Sequence, residues 1–349
     1  MSKRVVISIH GIRTRGVWQK DLVPILARAG FIPYVLDYGH FTAISLLRRS
    51  RRERQVDWLL QEYNRIVQEN NNSLPSIIAH SFGTYQVAAL IERYPDIKFD
   101  KVLFAASIVR SNYDWSKVLN EGRVSFVEND FGGLDVWPKV AAKLIDGAGD
   151  SGSGGFTNKD DLLNQRNFPD YKPSNYFHYS HFKANWIPTL ILDKRRLVEI
   201  IGAALQHASK DLDLLLEKIG AHILVPDHAA ENRLYTVPGL HKNVHEEADL
   251  GRVISTNLGA MANSGPAAAF NTGQVVVGEY KGTPLAAEQN SPLKFTLSIP
   301  IVSNTGVVLG VFNMRLQDVA QDRLKSAGDT LVAFAQAMSP SLEVLKGFG

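Results

Sequence analysis

In the first half of the chain, short apolar runs alternate with amphipathic stretches, and this alternation narrows the fold more than any other feature. RVVISIH, from Arg4, is a continuous apolar run suited to a strand buried on both faces. VWQKDLVPILARAG then carries helical spacing, with Gly30 as its stop signal. FIPYVLDYG predicts a second strand, and Val56, Leu59, Leu60, Tyr63 and Ile66 mark one face of a second helix. LPSIIAH, KVLFAASIV and VSFVEND predict three more strands, with the helix FGTYQVAALIERY between the first two of them. Strand, helix, strand, helix at this pitch implies a mostly parallel sheet covered by helices on both faces. The Gly- and Ser-rich DGAGDSGSGG, from Asp146 to Gly155, reads as a loop on the rim of a site, and PSNYFHYSHF as a further short strand.

The second half is built differently. HILVPD, RLYTVPG, QVVVGEY, KFTLSIPIV and GVVLGVFNMRL follow at close intervals with Gly and Asn turns between them, and the helix VAQDRLKSAGDTLVAFAQAM closes the chain. Such spacing predicts an antiparallel sheet flanked by helices. The expected division is a first domain over 1–195, a helical connector over 196–219 and a second domain over 220–349. In the connector, Leu212, Leu215, Leu216 and Ile219 have the spacing of one helix face and, with Ile200, are candidates for a dimer stem.

The chain of 349 residues is 45% hydrophobic and 21% charged, ample for two packed cores. With no cysteine, disulfides, thiolate nucleophiles and zinc–thiolate sites are excluded. A formal charge of +3 is too mild to argue for nucleic acid binding. The dense run RRSRRER, Arg48 to Arg54, is either a solvated helix start or a site for a phosphate or anionic head group, which keeps contact with a membrane surface among the expectations. MSKRVVISIHG enters a strand directly, without the apolar stretch of a signal peptide, and no run of ~18 uncharged apolar residues occurs, so the expected location is cytoplasmic.

The chemistry concentrates in Ala79-His80-Ser81-Phe82-Gly83, which follows one strand and opens a helix. A sharp strand-to-helix turn pushes a serine hydroxyl out at the carboxyl edge of the sheet, and the Phe82 N–H at the helix start can donate to an oxyanion. Read structurally, Ser81 is an ordinary helix N-cap. The second element is His10-Gly11-Ile12 at the end of the first strand, where the Ile12 N–H is a candidate second donor; the plain alternative is a tight turn.

These segments resemble the alpha/beta-hydrolase superfamily. HGIRTRGVW looks like the oxyanion segment of a lipase- and esterase-like branch, AHSFGT like its nucleophile elbow, and FAASIVRSNYDW like its post-nucleophile strand. The resemblance implies the alpha/beta-hydrolase fold and a carboxylic ester as substrate (a lipid or acyl ester among them), and nothing in these residues calls for a cofactor or a metal. It further implies the chain order serine, acid, histidine. Glu128, Asp130 and Asp135 are the acid candidates, and the stretch NDFGGLDV favours Asp135; as a structural residue, Asp135 would cap the following helix. HYSHF offers His178 and His181 as the base, with His40 a weaker candidate on the pocket wall. In the second half, GPAAAFNTGQVV from Gly265 and KFTLSIPIVSNTGVVLGVFNM resemble a GAF domain, which implies an α+β fold, a small-molecule (nucleotide-like) ligand and homodimer formation. Two further readings stay open: a signalling or interaction protein with an inactive hydrolase fold, and a nucleotide-activated phospholipase effector.

Overall fold

A computed structural model describes residues 4–12, 16–39, 48–132, 134, 148–172, 174–226, 233–242, 255–257, 265–279, 295–316, 319 and 321–348. The chain forms two compact units, the first drawn from residues up to Leu190 and the second from Ile191 onward.

The first unit holds β1 (Val5–Ile9), α1 (Val17–Arg28), β2 (Ile32–Leu36), α2 (Arg49–Glu69), β3 (Ser76–His80), α3 (Phe82–Arg93), β4 (Phe99–Ala105), α4 (Trp115–Asn120), β5 (Val124–Gly132), α5 (Ser151–Gly154) and β6 (Leu163–Phe168). The strands form one six-stranded sheet in the order β2-β1-β3-β4-β5-β6, parallel throughout. Every residue of β1 and β3 is buried, as continuous Val and Ile runs require when helices cover both faces. The order reverses between β1 and β3, so their carboxyl ends flank the crevice where open α/β sheets bind ligands.

Two expectations change here. PSNYFHYSHF is not a strand: Asn175–Phe177 is a 3-10 turn, α6 (Tyr179–His181) follows, a π-helical turn spans Phe182–Trp186, and α7 (Ile187–Ile191) continues it. The sixth strand is the polar LNQRNF, whose Asn164 and Arg166 are buried because β5 supplies Glu128 and Asp130 as partners. The Gly-rich segment is also more ordered than a loop. Its Gly152 carries no Cβ because one would lie 2.3 Å from the Ser107 backbone nitrogen.

The basic run forms the first turns of α2 and is mostly solvated, with Arg49 paired to Glu53 at 2.8 Å. Arg52 is the exception: it is buried, and its Nε donates to the Tyr85 hydroxyl at 3.3 Å.

The second unit contains α8 (Lys194–Leu212), β7 (Ile219–Pro226), β8 (Arg233–Lys242), β9 (Ser255–Asn257), α9 (Gly265–Thr272), β10 (Val276–Glu279), β11 (Phe295–Val302), β12 (Val308–Leu316) and α10 (Gln321–Glu343). Its sheet is six-stranded and antiparallel in the order β10-β11-β12-β7-β8-β9. Helix α8 packs against α10, β7 and β8, so most of the stretch expected as a connector is built into this unit. The expected stem face does not form. Asp213 adopts a left-handed conformation (φ 53°, ψ 47°) and ends the helix after Leu212. Leu215 and Leu216 are exposed beyond it, and Ile219 opens β7. Among the described residues no helix is long and apolar enough to cross a membrane.

Candidate active site

The site begins with Ser81, placed between β3 and α3 at φ 51° and ψ −118°. A non-glycine residue there carries strain of order 1–3 kcal/mol, which persists only where the surroundings enforce it. The surroundings do so from three sides. Ser81 N–H donates to the Ala105 carbonyl at 3.2 Å, extending the β3–β4 pairing past the strand end. The Ser81 carbonyl accepts from Thr84 N–H at 2.9 Å and from Thr84 Oγ1 at 2.6 Å, anchoring the first turn of α3. Gly83 lets α3 sit against the end of β1, where a Cβ would lie 3.0 Å from the Ile9 carbonyl oxygen. Phe82 is the first residue of α3, so its N–H has no partner within the helix.

Gly11 lies against the hydroxyl. A Cβ built on it would stand 2.7 Å from Ser81 Cβ, 2.9 Å from His80 Nδ1 and 3.2 Å from Ser81 Oγ. The β1 segment and the elbow therefore meet, as the sequence reading expects of His10-Gly11-Ile12. His10 is buried and stacks on Tyr38 with ring centroids 4.6 Å apart. Its Nδ1 faces the Gly11 carbonyl at 2.6 Å and its Nε2 faces Asp37 Oδ1 at 3.0 Å. Burial, with the charge on His10 second, pushes the His80 imidazole down to about 3, so His80 is neutral at ordinary pH. The buried His80 Nδ1 makes no hydrogen bond among the described residues.

The two candidate bases have different surroundings. His178 is exposed and follows Phe177, whose ring stacks on Trp18 at 4.8 Å and stands edge-on to His80 at 4.8 Å. Phe177 thus holds the His178 segment beside the residue that precedes the serine. His181 is buried, with Nε2 against Asp130 Oδ2 at 2.9 Å and Nδ1 accepting from Asn185 Nδ2 at 3.1 Å. Asp130 also accepts from Arg166 Nε at 2.8 Å and from Trp186 Nε1 at 2.9 Å. Burial works to raise the Asp130 pKa, but the Arg166 guanidinium and the His181 and Trp186 hydrogen bonds outweigh it and hold the carboxyl below its usual range. Glu128 joins the same cluster through Arg166 Nη2 at 2.6 Å and Thr189 Oγ1 at 2.7 Å. Asp135 and His40 lie outside the described residues. No hydrogen bond joins Ser81 Oγ to an imidazole among the described residues; such contacts often tighten only once substrate is bound. No group of three or more metal-ligating side chains occurs among the described residues.

Sequence reasoning missed Arg166 and Phe177, and reached Trp18 only as the last residue of HGIRTRGVW. Arg166 sits in a polar hexapeptide with no apolar pattern to announce a strand. The two aromatics become site neighbours only through the path of the 3-10 turn.

No family model matches the chain, and no curated protein matches it. Solved structures that resemble parts of it include a hydrolase described as predicted and CIB-like, from Thermoplasma acidophilum (17% identity, 51% of this chain and 81% of that one, TM-score 0.34). A type II free methionine-R-sulfoxide reductase from the same organism is 16% identical over 43% of this chain and 94% of its own, with a TM-score of 0.31. The GAF domain of an Acinetobacter phosphoenolpyruvate-protein phosphotransferase is 15% identical over 44% of this chain and 95% of its own, with a TM-score of 0.27.

Proposed function

We propose that the first unit is a serine hydrolase that cleaves carboxylic esters, with Ser81 as nucleophile. The observation that carries this reading is the strained backbone of Ser81 at the carboxyl edge of the sheet, with Gly11 held against its hydroxyl. Strain at a polar residue in a crevice favours a chemical role over a capping one, since Ser81 makes no side-chain cap hydrogen bond to α3.

His178 is the base of this reading and Asp135 its orienting acid. His181 is less suited, because the nitrogen that Asp130 leaves over accepts from Asn185 and the imidazole is buried. His178 takes the Ser81 proton as Oγ attacks the ester carbonyl carbon. The Phe82 and Ile12 N–H groups hold the oxyanion, a contribution of about 3–4 kcal/mol per donor at comparable sites. The C–O bond breaks and the alcohol leaves with the proton from His178. Water, deprotonated by His178, then attacks the acyl carbon and releases the carboxylic acid and free Ser81.

The second unit is read as a GAF-like regulatory module; its antiparallel sheet with helices on the faces supports that class of fold. The test of catalysis is hydrolysis of a p-nitrophenyl ester series of rising chain length by wild type and by Ser81→Ala. Turnover lost with the serine supports the hydrolase, and the preferred length separates an esterase from a lipase. Turnover no higher than the buffer blank in both proteins favours the interaction-module reading, and equal turnover above the blank rules out Ser81 as nucleophile.

A further inference from the structure

The two faces of the second unit's sheet are unlike. One carries Ile223, Leu297, Ile299, Phe312 and Met314, all fully buried, and α10 packs there: a Cβ on Gly328 of that helix would lie 3.1 Å from Leu297 Cδ1. The opposite face carries a polar row. The register pairs His241 with His222, His222 with Asn313, and Asn313 with Ser298, so these four side chains share one side. One step along, Arg315 faces Thr296 on that same side. His222, Asn313, Ser298, Thr296 and Arg315 are all buried.

Their hydrogen bonds have a direction. Ser298 Oγ donates to Asn313 Oδ1 at 2.7 Å, so the Asn313 amide nitrogen points the other way, to His222 Nε2 at 3.4 Å. His222 Nε2 must accept, which places the imidazole proton on Nδ1. That N–H is buried and has no acceptor among the described residues. Burial, with the nearby Arg315 charge second, keeps His222 neutral, so the tautomer is fixed. A buried donor without an acceptor is destabilising, and the sheet keeps this one. Two positive features converge on the same face. Arg315 supplies a guanidinium with five N–H donors, enough for a further acceptor beyond any it already holds. Helix α9 starts directly above the row: a Cβ on Gly265 would lie 3.3 Å from Thr296 Oγ1 and 3.7 Å from Ser298 Oγ, so the positive end of its dipole lies over the hydroxyls.

We propose that this face binds a small organic oxyanion, a carboxylate or a phosphate, with its oxygens on His222 Nδ1, the Arg315 guanidinium and the N-terminus of α9. Thr296 and Ser298 set the register of the polar row beneath the ligand. The site belongs to the second unit alone and stands whether or not Ser81 is a nucleophile.

The test uses the full chain labelled with 15N in its histidine rings and follows the His222 Nδ1–H resonance, assigned with His222→Gln. Inorganic phosphate and acetate are titrated separately, against sodium chloride at matched ionic strength. A saturable shift with one of them, absent in Arg315→Met, is the expected result; the anion that produces it tells phosphate from carboxylate. If Arg315→Met does not fold, Arg315→Lys, which keeps the charge and loses the planar fork, is expected to bind about ten-fold more weakly. No saturable shift with either anion, or a shift of full affinity in the Arg315 variants, overturns the proposal.

Discussion

Each unit buries a cluster of polar and charged side chains, and the two clusters are finished to different degrees. In the first unit Arg166 meets an acceptor at each of its three nitrogens: Asp130 at Nε, Asn185 at Nη1 and Glu128 at Nη2. Glu128 and Asp130 in turn accept from Thr189, Trp186 and His181. In the second unit the row from Ser298 through Asn313 ends at a His222 N–H that nothing among the described residues accepts, and the buried Thr236 hydroxyl is likewise unpartnered there. A closed buried network holds elements together, whereas an open one holds capacity for something else. The same contrast separates the histidines of the first unit. His181 has both nitrogens engaged, while His178 is exposed and the His80 Nδ1, beside Ser81, has no partner among the described residues.

The contrast between His178 and His181 gives the largest expected effect. His178→Ala is expected to lower kcat/KM by about 10³-fold or more with little change in stability, as loss of a triad base does. His181→Ala is expected to cost stability, about 1–3 kcal/mol for the acceptor and donor it strips from the core, with the smaller loss of turnover. Denaturant unfolding beside ester kinetics on both variants reads this, and the reverse ranking would make His181 the base. Arg166→Met sharpens the comparison between units. It leaves two buried carboxylates without their cation and is expected to destabilise the first unit by about 3–5 kcal/mol, seen as a lower denaturation midpoint. A neutral result would mean the closed network contributes no stability.

How much of this was legible in the sequence depends on whether a residue acts through a local pattern. β1 and β3 were readable because uninterrupted Val and Ile runs suit strands covered on both faces, and the elbow because small residues flank a serine between a strand and a helix. β6 was not, because Asn164 and Arg166 are stabilised by partners 36 and 38 residues away rather than by their neighbours in sequence. The end of α8 was hidden by leucines that continue the helical spacing past Asp213. The polar row of the second unit follows from the register of β7, β11 and β12, which no single strand carries in its own sequence. The acid candidate Asp135 came only with a family-like loop pattern.

Smaller effects bear on the site's own packing. Gly11→Ala places a methyl where Ser81 Cβ is 2.7 Å away, and a displaced hydroxyl is expected to lower kcat/KM by about 10²-fold while the fold survives. Full activity in that variant would mean β1 does not fix the nucleophile. The smallest effect is on acid stability. His80 and His222 have folded-state pKa values depressed below the ordinary imidazole value. The unfolded chain therefore binds protons first, and stability falls as pH drops below about 6.5, down to the folded-state values. His80→Gln is expected to flatten part of this slope in a pH series of thermal unfolding. Asp130, whose folded-state pKa is also depressed, adds a further loss only below about pH 4.

The most direct test of the central claim is the intact mass of the protein after exposure to a fluorophosphonate, followed by peptide mapping. The account predicts a single adduct on Ser81, absent from Ser81→Ala and slowed in His178→Ala. An unmodified wild-type protein, or an adduct on another residue, would contradict it.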